Sequence, residues 1–161
     1  MRYFLDGYNL FFRICDEVLP IDQKKQEWLA SFCEFLKLAD LDVLIVFDAT
    51  PTSPSTTTGR DYVGKVEIVY APRGLDADTF LVELCCGVKF ASQVTVVSED
   101  RKLLKRIKDV GSIPMDLKVF FQLLRDKTAI SPSEDKDHRF TSQETDRWHK
   151  IFEKRLNKDV K

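Results

Sequence analysis

The stretch Tyr3-Phe4-Leu5-Asp6-Gly7-Tyr8-Asn9 decides the fold. A short apolar run that ends in an acid and a glycine reads as a buried strand. It delivers a carboxylate to the edge of a sheet, with a turn at Gly7. The same grammar returns twice. Leu44-Ile45-Val46-Phe47 runs into Asp48, and Val94-Thr95-Val96-Val97-Ser98 runs into Glu99 and Asp100. In open α/β sheets ligands bind beyond the carboxyl ends of the strands, so acids recurring there can converge on one site. Clustered carboxylates repel one another unless something positive lies among them, and a divalent metal is the usual candidate.

Outward from these strands the pattern alternates. Trp28, Leu29, Phe32, Phe35, Leu36 and Ala39 recur at helical spacing over 24–40. Residues 43–47 are a continuous apolar strand of the kind buried on both faces in parallel sheets. The hydroxyl-rich stretch 50–59, with Pro51 and Pro54, reads as an exposed loop. Val66, Ile68 and Tyr70 alternate on a strand over 65–70. Phe80, Leu81, Leu84 and Val88 suit a helix over 76–90. A basic helix follows at 101–108, and another amphipathic helix runs over 116–127. Alternating strands and helices argue for a parallel sheet covered on both sides. The expected organisation is one α/β domain over 1–127, a polar linker over 128–140, and a terminal helix and tail over 141–161. Thr141 and Glu144 have the spacing of a capping box opening that helix.

Composition narrows the function. With 161 residues, 43% apolar and 32% charged, the chain suits a single soluble domain with a full core. A formal net charge of -1 excludes a protein that grips nucleic acid over its whole surface, so any polyanion must be held by a local patch. No apolar run approaches the roughly 20 residues of a membrane span. The chain opens directly into a strand without a signal-peptide layout, so a cytoplasmic location is expected. The four cysteines, Cys15, Cys33, Cys85 and Cys86, lack CxxC spacing and read as buried reduced thiols.

Each candidate acid also has an ordinary explanation. Asp6 and Asp48 stand where strands commonly end in turns. Asp76 is a natural N-cap, and Asp78 lies in a first helical turn that favours negative charge. Asp100 suits the first turn of the basic helix equally well. Jointly, three strand ends and one helix start supply acids to one edge of a parallel sheet. If they meet, hard Mg²⁺ or Mn²⁺ suits their oxygen ligands. Zinc is disfavoured, because His138 and His149 fall in the linker and tail and read as solvent-facing. Arg101, Lys102, Lys105 and Arg106 follow Asp100, and Arg60 and Lys65 flank the 50–59 loop. These cations are either phosphate contacts or a solvated helix face. Tyr8 either stacks a base or packs at the core rim.

Asp6-Gly7-Tyr8-Asn9, Val46-Phe47-Asp48-Ala49, Val66-Glu67-Ile68-Val69-Tyr70, Ala77-Asp78 and Ser98-Glu99-Asp100 stand in an order and spacing that resembles the YacP-like group of NYN-domain proteins. The resemblance covers roughly residues 1–125, with a tail similar in layout. It implies a PIN-like three-layer α/β/α fold with a central parallel sheet. It also implies Mg²⁺- or Mn²⁺-dependent endoribonuclease activity on single-stranded RNA, with ribosome-associated mRNA as the substrate. Asp6, Asp78 and Asp100 match the group's metal-binding carboxylates. Asn9 matches the polar partner of the first acid, and Asp48 matches an acid at the rim. Glu99, where the group often has a hydroxyl residue, adds negative charge and joins Asp48 as a supporting residue. The turn Ser112-Ile113-Pro114-Met115-Asp116 lacks the group's arginine. Two competing readings are a non-catalytic RNA- or ribosome-binding module of the same fold and a phosphatase of the haloacid dehalogenase type. The second would use Asp48 as nucleophile, but Thr50 stands where its second Asp is expected.

Overall fold

The computed structural model describes residues 1–14, 21–49, 60–130 and 142–158. Stretches 50–59 and 131–141, together with Cys15 and His138, lie outside the described residues. Six strands form one sheet: β1 (Arg2–Asp6), β2 (Asp42–Phe47), β3 (Arg60–Val63), β4 (Val66–Tyr70), β5 (Val94–Val97) and β6 (Ile113–Met115). Their spatial order is β3-β4-β2-β1-β5-β6, parallel throughout except for the β3–β4 hairpin. The helices are α1 (Gly7–Ile14), α2 (Ile21–Leu38), α3 (Ala77–Gly87), α4 (Arg101–Asp109), α5 (Leu117–Ile130) and α6 (Ser142–Lys158). This is the three-layer α/β/α arrangement expected.

Strand parity sorts the core. Leu5, Val43, Ile45, Phe47, Val66, Ile68 and Val97 point to one face, where α1, α2, α5 and α6 cover them. Phe4, Leu44, Val46, Val69, Val94 and Val96 point to the other, under α3 and α4. Successive side chains alternate across a sheet, so every second residue shares a face. Asp6 therefore follows Phe4, and Asp48 follows Val46, onto the face covered by α3. On that face, buried Glu67 of β4 is met by Arg2 of β1 and Arg60 of β3. Their stems and this shared carboxylate close the layer at the β3 edge.

Three elements differ from the sequence reading. Gly7 begins α1 instead of making a turn, and it needs to be glycine for a packing reason. A Cβ there would lie 2.5–2.7 Å from ring atoms of fully buried Phe47. Residues 113–115, expected as a turn, form the edge strand β6, and Gly111 at φ 86 ends α4 ahead of it. Arg60–Val63 adds a strand before the expected one, joined to it through Gly64 at φ 62.

The terminal helix is part of the core. Trp148 and Phe152 are buried against Phe32, Phe35 and Phe121, and the Trp148 indole N–H donates to Ser31 Oγ at 3.1 Å. Helix α5 extends to Ile130, so Thr128 belongs to it and not to a linker. His149 is not solvent-facing as expected. It is half-buried, bonded to Thr128 Oγ1 at 2.6 Å and set edge-on to Phe35, and burial lowers its pKa. Cys33 and Cys85 are buried thiols, whereas Cys86 is exposed, against expectation.

Candidate active site

The order β2-β1-β5 places the chain's topological switch at β1. Strand β2 is added on one side of it and β5 on the other, and the crevice beyond such a point is where α/β sheets bind ligands. Asp6 closes β1 at this crevice. Its Oδ1 accepts the Asn9 backbone N–H at 3.3 Å, which ties the acid to the first turn of α1. Asp48 lies beyond the end of β2, and its Oδ1 accepts the Ala77 N–H at 2.7 Å. That bond fastens the start of α3 to the strand rim. Asp76 caps the same helix by accepting the Thr79 N–H at 2.6 Å, so the next turn is rigidly held. Asp78 projects from that turn.

As a result Asp6 and Asp78, 72 residues apart in sequence, meet through a side-chain hydrogen bond. Two carboxyls in such contact need a proton or a cation between them. Burial is the main reason that Asp6 is pushed up to about 6, with the charges of Asp78 and Asp48 adding to it against the opposing Asn9 bond. Burial likewise raises Asp78, and the charge of Asp100 is its next largest cause. Asp100 caps α4 through its Oδ1, which accepts the N–H groups of Lys102 at 2.8 Å and Leu103 at 3.3 Å. The rim thus brings Asp6, Asp48 and Asp78 into one electrostatic group, and Asp100 adjoins it through Asp78.

These residues suit a hard divalent cation held partly by water. Among the described residues, no three His, Cys, Asp or Glu side chains stand close enough to hold an ion together, so Asp6, Asp78 and Asp100, expected as one metal-binding set, are not gathered into a single three-ligand cluster. An all-oxygen set built on two touching carboxylates fits Mg²⁺ or Mn²⁺, which retain several water ligands. Asn9 Oδ1 is buried with no hydrogen-bond partner, which leaves an acceptor at the rim without its complement.

The other sequence candidates separate into near and far. Glu99 forms an ion pair with Arg13 of α1 at 3.0 Å, so its charge is met locally. Arg101, Lys102 and Lys105 are exposed on α4 immediately after Asp100. Tyr8 sets its ring edge-on to Phe47 at 5.2 Å. Arg60 lies across from Val69 near the rim end of β4, but its guanidinium is bonded to Glu67 at 2.7 Å. Lys65 is at the opposite end of the sheet. It occupies the β3–β4 turn and pairs with Asp40 at 2.7 Å, a strand's length of about 15 Å from the acids. Sequence proximity to the 50–59 stretch suggested otherwise, because the antiparallel hairpin reverses direction there. Arg13 and Phe12 were missed, since nothing in the sequence marked 7–14 as a helix lying over the rim.

No described helix is long and apolar enough to cross a membrane. A family model, the YacP-like NYN domain, matches residues 3–161. No protein of curated function matches significantly. The fold is similar to two crystal structures of Rae1 (YacP) from Bacillus subtilis. One aligns with a TM-score of 0.59 at 14% identity, covering 99% of this chain and 86% of that chain. The other, a tryptophan-to-leucine mutant, aligns at 0.57 and 19% identity, covering 80% and 76%.

Proposed function

The chain belongs to the YacP-like NYN-domain family, PIN-like and nuclease-related, and from that premise we propose that it is a metal-dependent endoribonuclease acting on single-stranded RNA. The observation that carries this reading is the contact of Asp6 with Asp78 at the switch point of the sheet. Asp6 and Asp78 would hold the cation, Mg²⁺ or Mn²⁺, with Asp100 beside them. When bound, such an ion supplies Lewis acidity and offsets negative charge on the phosphodiester.

The chain's own residues do the positioning. Asp48 fixes the first turn of α3 and thereby the place of Asp78. Asn9 holds Asp6 through its backbone N–H, and its side-chain oxygen is buried beside that turn without a hydrogen-bond partner. Arg101, Lys102 and Lys105 on α4 attract the RNA backbone toward the rim, a local patch in a chain of net charge -1. Arg60 contributes to that field from the β4 side, whereas the position of Lys65 removes it from the same strand of RNA. Ribosome-associated mRNA in the cytoplasm is the physiological substrate on this reading. Incubating single-stranded RNA with the protein and Mn²⁺, beside the Asp6→Asn variant and an EDTA control, tests it. Cleavage by the native protein alone supports the proposal. Equal cleavage by all three removes it.

A further inference from the structure

Helix α1 carries an exposed aromatic pair that neither the fold nor the acids require. Its buried side is Leu10, Phe11 and Ile14. Phe12 is 60% exposed, although phenylalanine is among the side chains that gain most from burial. Its ring stacks on Tyr8, one helical turn earlier, with centroids 6.1 Å apart and planes 24° from parallel. Buried Phe11 supports it edge-on at 5.6 Å, and Phe47 supports Tyr8 in the same way at 5.2 Å. Both rings are therefore held in place from below while Phe12 keeps most of its surface in solvent. The helix begins at Gly7, directly after Asp6, so Phe12 lies about 8 Å along its axis from the acidic rim.

We propose that Tyr8 and Phe12 form a stacking step for the bases of single-stranded RNA, with a base laid on the outward side of Phe12 next to the nucleotide whose phosphate sits at the acids. The proposal rests on the nuclease reading above and deepens it by assigning a base subsite. Three observations favour RNA over a protein partner. The pair is continuous with the acidic rim through Asn9, which shares α1. The residue after Phe12, Arg13, is ion-paired with Glu99 just ahead of α4, so charge and not further apolar surface adjoins the pair there. Its geometry is that of near-parallel rings, which extends a base stack without reading base identity.

The test is equilibrium binding of a labelled single-stranded RNA and of a matched strand with abasic positions, together with KM and kcat in Mn²⁺. Native protein, Phe12→Ala, Phe12→Leu and Phe12→Trp are compared, each checked for folding by circular dichroism. Loss of the stack should weaken binding of the base-bearing strand about 5- to 100-fold in Phe12→Ala. Phe12→Leu should follow it, because leucine keeps apolar area but lacks a π-face, and Phe12→Trp should bind as native. The abasic strand should bind all four proteins alike, and the loss should appear in KM with kcat nearly kept. Equal binding of the base-bearing strand by native and Phe12→Ala overturns the stacking step and leaves the nuclease reading standing. Phe12-dependent binding without any cleavage supports the step and overturns the nuclease reading instead. Absence of RNA binding by the native protein overturns the step and assigns the pair to a protein partner.

Discussion

Asp6 at the end of β1 and Asp78 in the first turn of α3 share a side-chain hydrogen bond across the switch point of the sheet. Burial holds the Asp6 pKa at about 6, above its ordinary 3.8. An acid whose folded pKa is raised binds its proton more tightly in the native state, so the contribution of Asp6 to stability is greatest below about pH 4. It declines as pH rises through about 6 and levels off above. The loss is on the order of 2–3 kcal/mol, an upper figure because the pair titrates together. In metal-free buffer, Asp6→Asn should therefore gain stability relative to native protein between pH 4 and 6.5. Thermal melts of both across that range check it. Parallel curves would contradict the pairing.

A cation between these carboxyls should reverse that penalty. Added Mn²⁺ at neutral pH should raise the melting temperature of the native protein and leave Asp78→Asn nearly unmoved, because ligand binding to the native state alone stabilises it. Titrating Mn²⁺ by differential scanning fluorimetry gives both shifts directly. Equal shifts would place the ion elsewhere.

Gly7 and Phe47 are in closer contact than any other side chain would permit. Gly7→Ala places a Cβ 2.5–2.7 Å from the Phe47 ring, which is fully buried and in contact with Tyr8 and Tyr70. Overpacking of this kind costs about 1–3 kcal/mol. It also shifts α1, which carries Asn9 and braces Asp6. Denaturant unfolding should show the loss, and RNA cleavage should fall more than the change in folded fraction explains.

How much of this was legible beforehand depended on what each residue reports locally. Phe4 and Val46 are buried on the face that α3 covers, and the parity of strands carries Asp6 and Asp48 to that face. The sequence pattern alone therefore pointed to their convergence. Asp78 was legible as a first-turn acid, but its contact with Asp6 depends on the Asp48–Ala77 bond, a long-range feature with no local signature. Helix α1 was hidden because Gly7 resembles a turn residue, whereas its real constraint is the ring of Phe47 on β2, 40 positions away. Strand β6 has three residues and a proline, so it reads as a turn until β5 is seen beside it. Lys65 misled because chain neighbourhood does not say which end of a hairpin faces the site.

The terminal helix should prove inseparable from the domain. Trp148 is only 4% exposed and packs on Phe32 and Phe35. Trp148→Ala should destabilise by about 3–5 kcal/mol, lowering the melting temperature by roughly 10 °C. Circular dichroism melts measure this. A change under roughly 2 °C, the scale of a surface substitution, would mean that α6 does not belong to the core.

The central claim is that the rim acids take a divalent cation. Anomalous diffraction from a crystal soaked in Mn²⁺ tests it most directly. The account predicts a peak in contact with both the Asp6 and Asp78 carboxylates, with Asp100 on the adjoining side. An empty rim in a crystal of protein that still cleaves RNA in Mn²⁺, or a peak far from Asp6, would contradict it.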